Sequence, residues 1–225
     1  MDESSESEPG DRGPSTRPGK AGGKRERNRR LRIDALRQAG LALFLERGIQ
    51  QVSIDEIARE AGTAKGNFYR YFRDKSELVE AILEPLATPM REALEICGEA
   101  LAAAADEASL TAAYADLGMR FSSLAIGQLD VLRLYLQERR GPSSPAREGL
   151  IRLAREVDRE AIELTRYSLE HGLLDVSDPR ISALAVIGAA EHLALRMLAG
   201  ELEDLSPQQV TETVVRMVLD GIRSR

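Results

Sequence analysis

The chain has 225 residues, 43 % hydrophobic content and a net charge of −6, the composition of a globular protein rather than a fibrous or unfolded one. One cysteine rules out an intramolecular disulfide, and no uninterrupted apolar run approaches the ~18 residues of a membrane span. The acidic start (Asp2, Glu3, Glu6, Glu8) is the opposite of a secretory leader, so a cytoplasmic protein with no membrane partner is expected.

The charges are unevenly placed. Residues 12–75 hold 16 Lys and Arg against 7 Asp and Glu, whereas residues 76–225 hold 15 Arg against 25 acids. That asymmetry suits a polyanion-binding N-terminal module joined to a body of different purpose; a basic tail that only aids solubility is the alternative. Ala, Leu, Glu and Arg dominate while β-branched and aromatic residues are scarce, which favours helices.

Residues 1–26 are Ser, Pro, Gly and charge, and predict a disordered tail with a basic end. Its arm, Lys20 to Arg30, carries enough charge to follow phosphates or enter a minor groove. From Arg27, apolar residues recur at three- and four-residue steps (Ile33, Leu36, Ala39, Gly40, Leu43, Phe44), predicting a helix closed by Gly48. Ser53 with Glu56 makes a capping box for a second short helix that ends at Gly62. A third helix is expected from Thr63 or Ala64 to Phe72, capped by Thr63. A fourth runs from Lys75, capped by Asp74, to about Leu83.

Four of the nine aromatic residues crowd into FYRYF, residues 68–72. On a helical wheel Ala64, Phe68 and Phe72 share the inward arc. Lys65, Gly66, Asn67, Tyr69 and Arg70 share the outward one, and Tyr71 falls at the edge. The outward face thus offers a cation, an amide, a phenol, a guanidinium and a gap at Gly66, groups suited to phosphates and base edges. Two short helices about a glycine turn have the outline of a helix-turn-helix.

Beyond Pro85, helices are expected at 89–105, 109–140 with a break near Gly127, 146–171, 178–199 and 206–224. ALAVIGAA, residues 183–190, is apolar on every side. With the stripe of Val210, Val214, Met217, Val218, Gly221 and Ile222 it predicts a helical interface with a second copy. The central helix of a monomeric bundle is the other reading. The interface candidates are Leu184, Ala185, Gly188, Val214, Met217, Val218 and Ile222.

The stretch SIDEIAREAGTAKGNFYRYFRDKSELVEAIL (53–83), with ALRQAGLALFLERG (35–48) before it, resembles the DNA-binding domain of the tetracycline-repressor (TetR) family of bacterial transcriptional regulators. The resemblance implies an all-α fold. A three-helix helix-turn-helix DNA-binding domain would occupy residues 27–84, with its motif at 53–72. A C-terminal helical ligand-binding and dimerisation domain would occupy 85–225. It also implies a homodimer on a palindromic double-stranded operator, released by a small, largely apolar molecule. By the same resemblance Ser53 and Lys75 contact phosphates. Thr63, Ala64, Lys65, Gly66, Asn67, Tyr69 and Tyr71 line the groove.

Tyr114, Met119, Phe121, Tyr135 and Tyr167 are the candidates for the ligand cavity, and each is equally at home in a core. Cys97 reads as an inert thiol or an oxidant sensor. His171 and His192 belong to no metal-spaced cluster. No nucleophile elbow or glycine-rich nucleotide fingerprint occurs, so neither a cofactor nor enzymatic activity is expected. Two rival functions stay open: a DNA-binding chromosome organiser and a helical small-molecule enzyme.

Overall fold

The computed structural model describes residues 23–222. The expected tail up to residue 22 lies outside the described residues, as do residues 223–225 and the side chains of Asp220 and Ile222. All regular structure among the described residues is helical: α1 (Lys24–Arg47), α2 (Ile54–Glu60), α3 (Lys65–Phe68), α4 (Lys75–Ala102) and α5 (Glu107–Gly127) are followed by α6 (Leu129–Glu138), a 3₁₀ turn (Pro145–Arg147), α7 (Glu148–Glu170), α8 (Pro179–Leu198) and α9 (Pro207–Ile222).

The caps lie where side-chain chemistry puts them. Ser53 and Glu56 close a reciprocal capping box on α2. Asp74 accepts the Glu77 N–H at the start of α4, and Asp178 accepts the Arg180 N–H at the start of α8. Gly48 ends α1 at φ +80°, a left-handed conformation that residues with a Cβ avoid. The break near Gly127 is real, with Gln128 separating α5 from α6.

Three expectations need correction. First, α1 begins at Lys24, so the end of the presumed tail is helical. Second, α4 does not stop at Leu83. It continues through Pro85 and Pro89 to Ala102. Each proline removes an amide donor, a defect that costs about 3 kcal/mol in a helix interior. The chain stays helical because Leu83, Leu86, Ala87 and Met90, on both sides of the prolines, are buried. Third, the third helix is only four residues long, and 69–71 form a turn.

α4 is the central strut, packing on α1, α5, α6 and α7, while α9 packs on α5 and α8. Its contact with α1 is close: a Cβ added at Gly40 would lie 2.9 Å from a Leu78 methyl. One core runs without interruption from Leu36, Phe44, Ile57 and Phe68 through α4 to Val131, Leu134 and Leu150. A second, smaller core gathers Cys97, Leu101, Leu110, Ala113 and Leu174.

α8 is long and apolar enough to cross a membrane by length and composition alone. It also carries Arg180, Glu191, His192 and Arg196, and it packs on α7. Glu191 is paired with Arg139 and Arg140 at the C-terminal end of α6.

Candidate nucleic-acid interface

The α2–turn–α3 unit is set by local bonds. Ser53 Oγ accepts the Glu56 N–H at 3.3 Å, and Glu56 Oε2 accepts both the Ser53 N–H (2.8 Å) and its hydroxyl (2.7 Å). Arg47 reaches the other Glu56 oxygen at 2.7 Å. The Ser53 amide, the Ser53 hydroxyl and then Arg47 hold the Glu56 carboxyl down at about 2, below its usual 4.5. Gly62 turns the chain at φ +64°, and the Thr63 N–H returns to Ala58 O at 2.9 Å.

The FYRYF segment then divides by side. Phe68 and Phe72 are buried with ring centroids 5.6 Å apart. Tyr69 is half exposed, its ring edge-on to Phe68. Ala64, Lys65, Gly66, Asn67 and Arg70 are exposed. Tyr71, ambiguous on the wheel, is half-buried and packs against the main core.

Several side chains are already engaged. Lys65 Nζ donates to Asp55 Oδ2 on α2 at 2.9 Å, and that bond raises the lysine pKa. Asn67 Nδ2 donates to Thr63 Oγ1 at 2.9 Å. Thr63 is therefore not the cap of α3; the N-cap position is Ala64, which has no side-chain acceptor to offer. The fold itself does not require Gly66. A Cβ there would meet nothing within 4 Å, and its φ is not positive.

Lys75 departs most from its expected place. Its ammonium donates to Ile49 O at 2.7 Å and Val52 O at 2.8 Å, clamping the α1–α2 turn. Burial lowers its pKa against the opposing pull of Glu56. Sequence reasoning missed Asp55 altogether, because its tie to Lys65 spans ten residues and follows no helical period.

The five cavity candidates do not converge. Met119 is 46 % exposed. Tyr135 is buried and Phe121 half-buried in the main core. Tyr114 and Tyr167 border the second core. Tyr114 donates to Leu164 O at 3.4 Å, its hydroxyl lies 3.1 Å from that of Ser168, and burial pushes its pKa up to about 12. Tyr167 stacks on His171 at 3.9 Å and lines an open groove of about 300 Å³ with Gly98, Leu101 and Leu164. A larger open groove of about 840 Å³ has a mixed lining, with Pro145 and Ile151 beside Ser143, Ser144, Arg152, Arg155 and Arg159. Cys97 is buried, and burial pushes its thiol up to about 12, which keeps it protonated.

On the proposed partner face, Leu184 is 45 % and Met217 62 % exposed, and Ile181, one turn before Leu184 on α8, is exposed as well. Ala185 is exposed, and Gly188, Val214 and Val218 are half-buried. Ile222 contributes no described side chain. Among the described residues no group of three or more His, Cys, Asp or Glu is arranged to hold a metal ion.

A capped α2, a glycine turn and a recognition segment with its rings split between core and solvent define a helix-turn-helix domain, here joined to a helical body. Residues 36–82 match the family model described as bacterial regulatory proteins, tetR family. The HTH-type transcriptional regulator YvdT of Bacillus subtilis is 40 % identical over 57 residues, a match covering 25 % of this chain and 29 % of that protein. An HTH-type regulator of Haemophilus influenzae is 25 % identical over 197 residues, covering 88 % and 91 %. In the solved structures the fold recurs in FadR of Bacillus subtilis, in complex with stearoyl-CoA, at a TM-score of 0.64 and 17 % identity over 84 % of this chain and 99 % of that one. The tetR-family match thus falls on the helix-turn-helix domain, residues 36–82.

Proposed function

We propose that this protein is a ligand-responsive repressor that binds a palindromic operator as a homodimer and leaves it when a small molecule binds the body. The observation that carries the reading is Gly66. It sits exposed in α3, where alanine would favour the helix by about 1 kcal/mol and would meet nothing. Nothing within the chain calls for glycine at this position, and close approach of the backbone to a groove is the use we assign to it. Lys65, Asn67, Tyr69 and Arg70 around it carry groups that read base edges and phosphates. Ala64 and Thr63 flank the entry to the groove. Ser53 and Lys75 supply phosphate contacts, Lys75 only after exchanging one of its carbonyl partners.

The exposed apolar side chains of Ile181, Leu184 and Met217 support dimerisation through α8 and α9. Two copies would hold their recognition segments about 34 Å apart, one turn of duplex. Occupancy of an operator by such a dimer represses by exclusion. The ligand site we favour is the groove at Tyr167, which backs onto the second core beside Tyr114. Because the related fold of FadR holds stearoyl-CoA, acyl-CoA esters are the first probes to try. A DNA regulator of this type works in the cytoplasm.

A genomic binding map combined with light scattering tests the whole reading. A few promoter palindromes and a mass twice the 24.7 kDa chain are expected. Many dispersed sites would favour the chromosome organiser, and a concentration-independent monomer would end the dimer model.

A further inference from the structure

We infer that the first turns of α1 form a second DNA-contacting surface, with Arg25, Arg29 and Arg32 laid along the phosphates of the duplex that the recognition segment reads. The inference rests on the DNA-binding reading above and adds a partner surface to it.

α1 begins at Lys24, but its first buried residue is Leu36. Residues 24–32 are exposed apart from half-buried Glu26. At a rise of 1.5 Å per residue, residues 24–32 make roughly 13 Å of helix ahead of half-buried Ile33. The projection is strongly basic: Lys24, Arg25, Arg27, Arg29, Arg30 and Arg32 stand against Glu26 alone.

Arg25, Arg29 and Arg32 follow i, i+4, i+7 spacing. The same stripe continues into Leu36, Ala39 and Gly40, the side of α1 that packs on the DNA-binding core and on Leu78 and Ile82 of α4. Register therefore turns the three guanidinium groups toward the side on which the helix-turn-helix is built. The other end of α1 is tied to the body, where Glu138 of α6 accepts the Ile49 N–H. The basic end leads away from the acidic body.

Arg30 pairs with Glu26 at 3.2 Å and Arg37 with Asp34 at 3.7 Å. Among the described residues Arg25, Arg29 and Arg32 form no ion pair. Like charges one turn apart destabilise an isolated helix, and an opposing row of phosphates relieves that repulsion. The stripe is about 10 Å long, enough to follow roughly three phosphates of one strand.

The test uses the full chain with Arg25→Ala, Arg29→Ala and Arg32→Ala together, alanine being the residue that best preserves the helix. A control removes three exposed bases from α7 (Arg152→Ala, Arg155→Ala, Arg159→Ala). Binding to a random-sequence duplex of about 40 base pairs is measured by fluorescence anisotropy between about 50 and 200 mM salt, with helix content followed by circular dichroism. Each lost phosphate contact lowers the salt slope by about 0.9, so the α1 variant should lose roughly 2–3 units of slope per protomer. Its affinity at the lowest salt should fall at least ~10-fold, and the α7 control should keep the wild-type slope. An α1 variant that keeps the wild-type slope and affinity overturns the inference, as does an equal loss in the α7 control. A wild-type protein that bound no duplex at all would overturn the DNA-binding reading itself, a result distinct from these.

Discussion

Glu138 and Ile49 are 89 positions apart in the chain, yet the carboxylate of one accepts the backbone N–H of the other at 3.2 Å. Glu138 is 2 % exposed, and its second oxygen takes the Arg147 Nε at 2.5 Å. Arg147 in turn donates to Pro142 O at 3.0 Å. A buried ion pair of the body thus grips the turn that ends α1, just as Lys75 grips the same turn through Ile49 O. Gly48 completes the joint: a Cβ there would lie 3.0 Å from Glu138 Oε1, on a backbone already at φ +80°.

Removing one half of that pair should be far worse than removing both. Glu138→Gln leaves the Arg147 charge buried and should destabilise the protein by about 3–5 kcal/mol. Glu138→Leu with Arg147→Met replaces both charges by apolar volume and should recover most of that loss. Chemical denaturation at one fixed protein concentration measures it, since dimerisation would otherwise shift the midpoint. Equal stability of the single and double variants would show that the pair does not anchor the turn.

Lys75 is expected to report on stability as well as on DNA. Lys75→Met keeps the stem but leaves Ile49 O and Val52 O without their charged donor. A loss of about 2 kcal/mol should follow. DNA affinity should fall about equally for operator and random duplex, with the salt slope reduced by about one. A change in sequence preference at constant salt slope would contradict the phosphate role.

The Ser53–Glu56 box fixes one acid limb of the stability curve. Its bonds hold the Glu56 carboxyl at about 2 in the folded chain, against 4.5 in the absence of the fold. The folded value is the lower, so this contribution is complete above about pH 4.5 and is lost as pH falls toward 2. Glu56→Gln should flatten thermal stability between those limits and leave its slope near neutral pH unchanged. An undiminished acid slope in the variant would assign the limb to other carboxylates.

Gly66→Ala separates folding from recognition. The added methyl meets nothing within the chain, so melting temperature should hold or rise. Operator affinity should fall at least ~10-fold where the backbone lies against the groove. Lys65→Ala and Tyr69→Ala should weaken operator binding with little change in melting temperature, both side chains being exposed. Full operator affinity in Gly66→Ala would remove the close-approach argument.

Much of this protein was legible in its sequence because helices are specified over three or four residues. The capping box at Ser53, the Asp74 cap, the stop at Gly48 and the break near Gly127 all arise from chemistry within one turn. The inward Phe68 and Phe72 and the outward Tyr69 followed from the same period. Tertiary structure decided the rest. Proline rules would have broken α4 at Pro85, but apolar side chains buried from both sides keep it continuous to Ala102. The recognition segment shortened to four helical residues, with the buried rings of Phe68 and Phe72 holding the turn that follows. Lys75 found carbonyls 23 and 26 residues upstream, and Lys65 found Asp55. Tyr114, Phe121, Tyr135 and Tyr167 were divided between two cores, while Met119 was left exposed. Those outcomes depend on which distant segments meet, and local period and capping carry no information about partners 89 residues away such as Glu138 and Ile49.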